Sequence, residues 1–208
     1  MIQLRKAGLV ADREDVVRLR GQFEKTHWVR LTSVLDPELL SLALSYVEQG
    51  RWLEQVVSGT YSYTEYVLEN GAAANLLRFV SNASRFLETI SQITGCDSLS
   101  WFESRVYRME PNGHADDWHN DAVDGRLIAM SLNLSPRGYR GGIFQMRERR
   151  SHRMLAEVAN TGLGDAILFR VSRDFEHRVG AVEAGEPKIA FAGWFSTEQN
   201  IRERLTSG

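Results

Sequence analysis

The stretch KIAFAGWF, residues 188–195, indicates the fold because polarity and size alternate from one residue to the next. In a β-strand successive side chains point to opposite faces, so this stretch is expected to present two different faces. The first face consists of Lys188, Ala190, Ala192 and Trp194, and the second of Ile189, Phe191, Gly193 and Phe195. We therefore expect a strand with a roomy, singly cationic face on one side and packed helices on the other.

Short apolar runs of the same kind recur from Leu99 onward between turn signals. They cover residues 101–109, 127–134, 143–146, 166–171, 179–182 and 189–195. Regularly spaced short strands are typical of sandwiches and barrels. The sequence therefore predicts an α+β fold, a double-stranded β-helix (jelly roll) with N-terminal helices packed on one sheet.

The first half of the chain carries mainly helical signals. One helix is predicted over residues 37–49, where Asp36 is placed to cap the start and Gly50 to stop the end. A second helical stretch covers residues 72–94, with a break expected near residues 81–84. These helices are expected to support the sheet from outside.

Two further segments of the first half are expected to be extended. A short strand is predicted between Trp28 and Leu35, and residues 51–71 are expected to form a hairpin or a lid over a pocket. The tyrosines at 61, 63 and 66 in that segment would either face the pocket or cover a core edge. The chain is thus divided into a mainly helical buttress with a possible lid (1–97), a jelly-roll core (98–197) and a C-terminal tail (198–208), all within one domain.

Composition excludes several classes of protein. The 208 residues carry a net charge of -2, so no global positive field would collect nucleic acid or an anionic membrane. Cys96 is the single cysteine, which excludes an internal disulfide framework and a cysteine-based metal site. Without an apolar run of bilayer length or a secretory leader, we expect a cytoplasmic protein. Its oligomeric state stays open.

The stretch GHADDWHND, residues 113–121, contains two His-x-Asp pairs, His114 with Asp116 and His119 with Asp121. In an extended segment residues two apart point to the same side, so each pair could offer two ligands to one ion. A distant histidine would complete a triad of two histidines and one carboxylate, which leaves open positions on Fe(II). A His-x-Asp pair alone is more typical of surface polar residues.

His177 is the candidate for the third ligand, and Lys188 follows it in the chain. A hairpin around residues 183–187 would place Lys188 opposite Val182, with His177 roughly 17 Å away at the rise of a strand. A bound dicarboxylate and an extended lysine side chain could bridge much of that gap. The alternative is a lysine that reaches out to solvent from the strand start.

Residues 105–197 resemble the prolyl-hydroxylase-like branch of the Fe(II)/2-oxoglutarate-dependent oxygenase superfamily. The resemblance rests on the order of RVY, HND, SLNLS, YRGGIFQM, GLGDAILF, HRVGAV and KIAFAGWF along the chain. It implies that His119, Asp121 and His177 are the catalytic triad and bind Fe(II), and that the chain uses 2-oxoglutarate and O2.

The resemblance also assigns the cosubstrate pocket. It implies that Lys188 pairs with the far carboxylate of 2-oxoglutarate and that Tyr107 and Ser131 line the pocket. Ser131 stands where family members often carry tyrosine, and Lys188 stands where they often carry arginine. His114 and Asp116 would lie in a loop at the pocket rim, with the alternative that they form the metal pair.

The activity implied is a dioxygenase (hydroxylase) that oxidises an unactivated C–H bond of a small molecule, amino acid or peptidyl residue and decarboxylates 2-oxoglutarate to succinate. Asp121 favours hydroxylation over halogenation, while desaturation and ring formation stay open. The alternative is a non-catalytic or cupin-like jelly-roll protein that binds a metal or small molecule, which would not need Lys188. A nucleic-acid demethylase is disfavoured because Trp194 stands where a second arginine is expected.

The substrate is the least determined part of the prediction. Six arginines lie around residues 143–146, and they could recognise an acidic small molecule or a peptide carboxylate, or simply form a solvated face. They are Arg137, Arg140, Arg147, Arg149, Arg150 and Arg153. Trp118, Trp194 and Met130 could shape an apolar pocket, although core packing is the commoner role of such residues.

Overall fold

The computed structural model describes residues 1–57, 63–69, 71–97, 99–113, 115–123 and 125–197. The helices are α1 (Arg13–Thr26), α2 (Pro37–Gln49), α3 (Ala72–Ser81) and α4 (Ser84–Thr94). The strands are β1 (Ile2–Arg5), β2 (Gly8–Ala11), β3 (Trp28–Leu31), β4 (Trp52–Val57), β5 (Tyr63–Leu68), β6 (Leu99–Met109), β7 (Arg126–Asn133), β8 (Tyr139–Gly141), β9 (Phe144–Glu148), β10 (Met154–Val158), β11 (Ala166–Arg170), β12 (Phe175–Val179), β13 (Val182–Gly185) and β14 (Lys188–Thr197). Among the described residues, no helix combines the length and apolar character that crossing a bilayer requires.

A large antiparallel sheet of seven strands organises the molecule, in the order β3-β11-β7-β14-β6-β5-β4. At its centre β14 pairs with β6 along one edge and with β7 along the other, so that Phe191 lies opposite both Val106 and Leu132. Pairing along both edges fixes the register of β14 and therefore which of its side chains point to each face of the sheet.

A smaller layer is built from a three-stranded sheet and a strand pair that adjoin each other. β9 lies between β10 and β12, and β8 pairs with β13. The N–H of Gly142 donates to the carbonyl of Ala181 at 2.8 Å, and that of Gly180 donates to the carbonyl of Ile143 at 2.9 Å. These bonds continue the ladder through a bend, so the five strands form one layer.

Two apolar clusters hold the layers together. The larger one joins the helices to one face of the large sheet and contains the buried rings of Phe23, Phe86, Phe102, Phe191 and Phe195. The smaller one joins the two sheets and contains Ala129, Phe144, Met146, Ile167 and Phe169. The predicted jelly roll with N-terminal helices packed on one sheet is therefore confirmed.

Local sequence explains the predicted helices. The Asp36 carboxylate accepts from the N–H of Leu39 at 2.7 Å, which satisfies one of the free donors at the start of α2. The break expected near residues 81–84 separates α3 from α4. There the side-chain oxygen of Asn82 accepts from the N–H of Phe102 at 2.7 Å, and its amide donates to the carbonyl of the same residue at 3.1 Å. Asn82 thus ties the break to β6.

Other parts of the first half differ from the prediction. The helix α1 and the hairpin β1-β2 were not predicted, because α1 buries only Leu19 and Phe23 and has a weak apolar stripe. Residues 51–71 contain the antiparallel pair β4-β5, which agrees with the hairpin alternative and extends the large sheet through pairing of Tyr66 with Arg108. Tyr61 and the tail 198–208 lie outside the described residues. Because β3, β4 and β5 join the large sheet, the first half is a buttress and also part of the sheet.

Two predictions for the second half are wrong. Residues 179–182 are not one strand, because they span the bend between β12, which carries His177, and β13. The hairpin that would place Lys188 opposite Val182 does not form. Val182 pairs with Gly141 in the small layer, whereas Lys188 pairs with Met109 in the large sheet. Between β13 and β14 the chain therefore passes from the small layer to the large sheet.

Removal of the α2 cap is expected to weaken the fold without changing the cavity. Asp36→Ala should lower the free energy of unfolding by about 1 kcal/mol, because it leaves the N–H of Leu39 without its partner. Asp36→Ser, which retains an oxygen acceptor, should recover most of the loss. Urea denaturation of the three proteins measures the difference, and an Asp36→Ala protein as stable as the parent would contradict the role of the cap.

Candidate metal centre

An isolated antiparallel bridge brings the two distant histidines together. The N–H of His119 donates to the carbonyl of His177 at 3.1 Å, and the N–H of His177 donates back to the carbonyl of His119 at 2.8 Å. Residues directly opposite in an antiparallel pair point their side chains to the same face. The two imidazole rings accordingly lie with their centroids 4.4 Å apart.

Asp121 completes the cluster from two residues farther along the chain. Its Oδ2 lies 3.2 Å from Nε2 of His177, and its Oδ1 lies 3.9 Å from Nε2 of His119. One ligand atom from each of the three residues lies within 4.8 Å of the other two. The structure therefore brings together the three residues that the sequence selected as metal ligands.

The protonation of His119 suits metal binding. Its Nδ1 lies 2.8 Å from the backbone carbonyl of Asp117, and because a carbonyl can only accept, Nδ1 carries the proton. The lone pair is then on Nε2, the atom that faces Asp121. A histidine that donates its second ring nitrogen to a carbonyl is the usual arrangement for a metal ligand.

Asp121 is held as an anion by its neighbours. Burial alone would raise its pKa, but the hydrogen bond and charge of His177, the hydrogen bond from Trp194 and the charge of His119 lower that pKa to about 2. The indole N–H of Trp194 donates to Oδ2 at 2.7 Å, and the Arg126 guanidinium lies 3.7 Å from the centre of the indole. Asp121 therefore presents a charged carboxylate at neutral pH.

The cluster opens into a cavity of about 760 Å³ between the two sheets. Its walls include Phe144 and Phe169, and the ring of Phe169 lies 4.7 Å from that of His177. The side chain of His119 is 43% exposed, while those of Asp121 and His177 are 16% and 12% exposed. His119 therefore marks the side on which the cluster meets solvent.

Lys188 provides a cation in the same cavity. It is 5% exposed, and its Nζ donates to the carbonyl of Gly142 at 2.9 Å. Burial lowers the pKa of Lys188 to about 8, although the charge of Asp116 works in the opposite direction. Among the described residues this is the one hydrogen bond of the buried ammonium group, which is therefore poorly compensated, and an anionic ligand beside it would restore the lost solvation.

The glycine pair of YRGGIFQM allows this contact. Both Gly141 and Gly142 have positive φ, at 82° and 59°. A Cβ on Gly142 would lie 3.0 Å from Cδ of Lys188, and one on Gly141 would lie 2.3 Å from the carbonyl oxygen of Ala181. Any side chain here would strain the backbone and displace the neighbours that hold Lys188.

Tyr107 and Ser131 line the cavity, as the sequence predicted. Burial raises the pKa of Tyr107 to about 12, so its phenol stays neutral and can donate a hydrogen bond. Asn160 also lines the cavity and was missed. Its amide donates to the carbonyl of Ser131 at 3.2 Å, and its side-chain oxygen is buried with no hydrogen-bond partner in the described part of the chain. No motif distinguished this asparagine from an ordinary loop residue.

The remaining candidates divide between the cavity and the surface. Asp116 lines the cavity but is not part of the metal cluster found in the described residues, and His114 lies outside those residues. Trp118, Trp194 and Met130 line the cavity, and Met130 also belongs to the helix-side core.

The predicted arginine group lies elsewhere. The described arginines that line the cavity are Arg108 and Arg126, and neither belongs to the six. Five of the six form ion pairs with glutamates: Arg137 with Glu186, Arg140 with Glu183, Arg147 and Arg149 with Glu176, and Arg153 with Glu148. This arrangement favours the interpretation of a structured surface over that of a substrate-binding group.

Comparison with known proteins adds independent information. Residues 104–196 match the family model of the 2OG-Fe(II) oxygenase superfamily. The chain is similar to a solved 2OG-Fe(II) oxygenase family oxidoreductase from Burkholderia pseudomallei, with 14% identity, a TM-score of 0.72 and coverage of 94% of this chain and 96% of that chain. No curated protein sequence matches the chain significantly.

Two further solved structures have the same fold. A prolyl-4-hydroxylase from Pseudomonas putida has 16% identity and a TM-score of 0.64, with coverage of 88% of this chain and 99% of that chain. The α-ketoglutarate-dependent epimerase SnoN from nogalamycin biosynthesis has 15% identity and a TM-score of 0.66, with coverage of 89% and 82%. At these identities the likeness establishes the fold.

The geometry predicts that divalent metal binding depends on Asp121. Asp121→Asn should weaken binding of Co(II) roughly 100-fold or more, because it removes the one anionic ligand. Asp117→Asn is the matched control, since it lies in the same segment and its contact to His119 is made by the backbone. Titration calorimetry on metal-free protein measures both, and equal loss in the two variants would contradict the assignment.

Proposed function

We propose, from the premise that residues 104–196 belong to the 2OG-Fe(II) oxygenase superfamily, that this chain is a dioxygenase that hydroxylates an unactivated C–H bond while it converts 2-oxoglutarate to succinate. Fe(II), 2-oxoglutarate and O2 are the cofactors and cosubstrates of that superfamily. The observation that carries the proposal is the presence of the His119, Asp121 and His177 cluster in the same cavity as the buried ammonium of Lys188.

The donor set fits a non-haem iron. Two neutral imidazoles and one carboxylate on one side of an ion leave adjacent coordination positions open. Fe(II) bound there would supply the activation of O2 that couples decarboxylation of 2-oxoglutarate to oxidation of the substrate. The protein's part is to keep Asp121 ionised, to keep the lone pair of His119 on Nε2, and to fix His177 in β12 through the paired backbone bonds.

Lys188 would anchor the far carboxylate of 2-oxoglutarate. An ion pair in a cavity screened from water is much stronger than one on the surface, and it would offset the cost of burying the ammonium. Ala190 and Ala192, on the same face of β14, leave space between Lys188 and the metal cluster. Tyr107 and Ser131 would line the bound cosubstrate, with the neutral phenol as a hydrogen-bond donor.

The cavity also supports the proposed shielding of the reaction. Phe144, Phe169 and Ile167 give it apolar walls, which would exclude water from the reacting atoms. Its volume of about 760 Å³ is in the ordinary range for sites that bind small molecules. We propose that the substrate, a small molecule or a peptidyl side chain, enters on the side where His119 is exposed.

Hydroxylation is the proposed outcome because position 121 carries a carboxylate that occupies a metal site. Solved structures with this fold include both a hydroxylase and an epimerase, so the fold alone supports more than one oxidation. A cupin-like binding protein remains the alternative function, and the experiment below distinguishes it.

Anaerobic addition of Fe(II) and 2-oxoglutarate to the metal-free protein is expected to produce a weak visible charge-transfer band, followed on aeration by succinate. The band should be absent in Asp121→Ala and present in Asp117→Ala. Formation of the band reports chelation of the cosubstrate by iron, so it needs no knowledge of the substrate. A protein that binds Fe(II) but gives neither band nor succinate would instead support the binding-protein alternative.

Binding of 2-oxoglutarate should depend on Lys188 and on pH. Lys188→Met should weaken binding roughly 10- to 100-fold at pH 7, because a charge-assisted contact is lost. The exposed Lys25→Met is the control, and Co(II) affinity should not change in either variant. Calorimetry with the Co(II)-loaded protein measures all of these affinities.

The sign of the pH effect follows from the lowered pKa of Lys188. Below about pH 8 the ammonium is present, and above it the free protein loses the proton, so the affinity should fall by up to about tenfold per pH unit. Between pH 8 and the ordinary pKa of lysine the unfolded chain holds more protons, so the free energy of unfolding of the unliganded protein rises with pH. Equal pH dependence in the parent and Lys188→Met would contradict this assignment.

A further inference from the structure

Trp118, which directly precedes His119, packs against two guanidinium groups. The Arg147 guanidinium lies 4.0 Å from the centre of its ring, and the Arg178 guanidinium lies 4.7 Å from it. Arg147 belongs to β9 and Arg178 to β12, the strand that carries His177. The ring of Trp118 therefore connects the segment that carries His119 and Asp121 to β9 and β12, and β12 carries His177.

Both arginines are themselves held in place. Arg147 donates through Nε and Nη2 to Oε2 of Glu176, at 3.1 and 2.9 Å, and both side chains are largely buried. Arg178 donates through Nε to the side-chain oxygen of Gln145 at 2.7 Å. Both guanidinium groups are thus held by partners other than Trp118, so they can position its ring.

The alternation of β12 explains why this contact lies behind the metal cluster. Glu176 and Arg178 flank His177, and neighbouring residues in a strand point to opposite faces. His177 points into the cavity, so its two neighbours point to the outer face of the small layer. The ring of Trp118, the residue before His119, packs against the guanidinium groups of Arg147 and Arg178, and Trp118 also lines the cavity.

The ligand segment is held by separate contacts rather than by a continuous strand ladder. Residues 115–123 form no regular helix or strand, and they attach to β12 through the His119 and His177 bridge and through the N–H of Asp116, which donates to the carbonyl of Val179 at 2.9 Å. His119 and Asp121 both follow Trp118 within three residues. A ring fixed at 118 therefore limits the movement of both.

We propose that Trp118 is a positioning residue, whose ring, packed against Arg147 and Arg178, holds His119 and Asp121 at the distance from His177 at which the three can share one metal ion. This inference rests on the metal site of the proposed function. It assigns to the outer face of the small layer a role in metal affinity, although none of its three side chains would touch the ion.

Calorimetric titration of the metal-free full-length chain with Co(II) tests the proposal. Trp118→Ala should bind Co(II) 10- to 100-fold more weakly than the parent, in line with the effect of removing other supports of metal ligands. Trp118→Phe should recover at least part of the loss, because it keeps an aromatic face against the guanidinium groups. Trp101→Ala removes a half-exposed tryptophan that does not line the cavity, and it should bind as the parent does.

A thermal melt of the same metal-free proteins separates positioning from general stability. The melting temperature of Trp118→Ala should fall no more than that of Trp101→Ala, while its Co(II) affinity falls alone. Arg147→Met should also weaken Co(II) binding, and adding it to Trp118→Ala should cost little more, because both variants break one contact. The proposal would be overturned if the Co(II) affinity of Trp118→Ala stayed within twofold of that of the parent. It would also be overturned if the loss of Co(II) affinity were accompanied by global unfolding.

The parent protein in the same titration reports on the proposed function separately. If the parent protein does not bind Co(II), the metal-site assignment is wrong, and the positioning role of Trp118 is wrong with it. A parent that binds Co(II) but gives no charge-transfer band with Fe(II) and 2-oxoglutarate would reject the oxygenase function, whereas the comparison of the Trp118 variants would still decide the positioning role.

Discussion

The paired backbone hydrogen bonds between His119 and His177 are the interaction on which the site depends. They join an irregular segment to β12, and they put two imidazoles from distant parts of the chain on the same face. Asp121 then needs only its position two residues beyond His119 to reach both rings. The rest of the fold holds the two partners of this bridge in place, since β12 is fixed by β9 and the segment is fixed by its contacts to the small layer.

The large sheet contributes the opposite wall of the cavity and its charge. β14 is paired on both edges, so Lys188 cannot turn outward to solvent without loss of the ladder. The cost of burying its ammonium is therefore imposed by the sheet and is reflected in its lowered pKa. The metal-ligand cluster is attached to the small layer, whereas Lys188 lies on the large sheet. The distance between the two layers therefore determines how much space is left for a ligand.

Local patterns predicted much of this arrangement from the sequence. Alternation in residues 188–195 predicted both faces of β14, and the His-x-Asp spacing with a later histidine selected the residues that meet in the structure. The ordered motifs then indicated the superfamily whose model residues 104–196 match. The features that were not predicted depend on contacts between distant residues or on segments with a weak apolar pattern. The pairing of β13 with β8, the short strand β8 and the polar helix α1 leave no clear local signal, and the contact of Trp118 with Arg147 and Arg178 joins three separate segments.

The position of β3 at the end of the large sheet has a consequence for truncation. Residues 28–31 supply hydrogen bonds to residues 166–169, so a segment from the first quarter of the chain covers the edge of a strand from the last. A fragment limited to residues 104–196 would leave that edge with unpaired N–H and C=O groups and would uncover the apolar face beneath the helices. Such an edge invites pairing with another copy, so the excised fragment would aggregate where the whole chain folds.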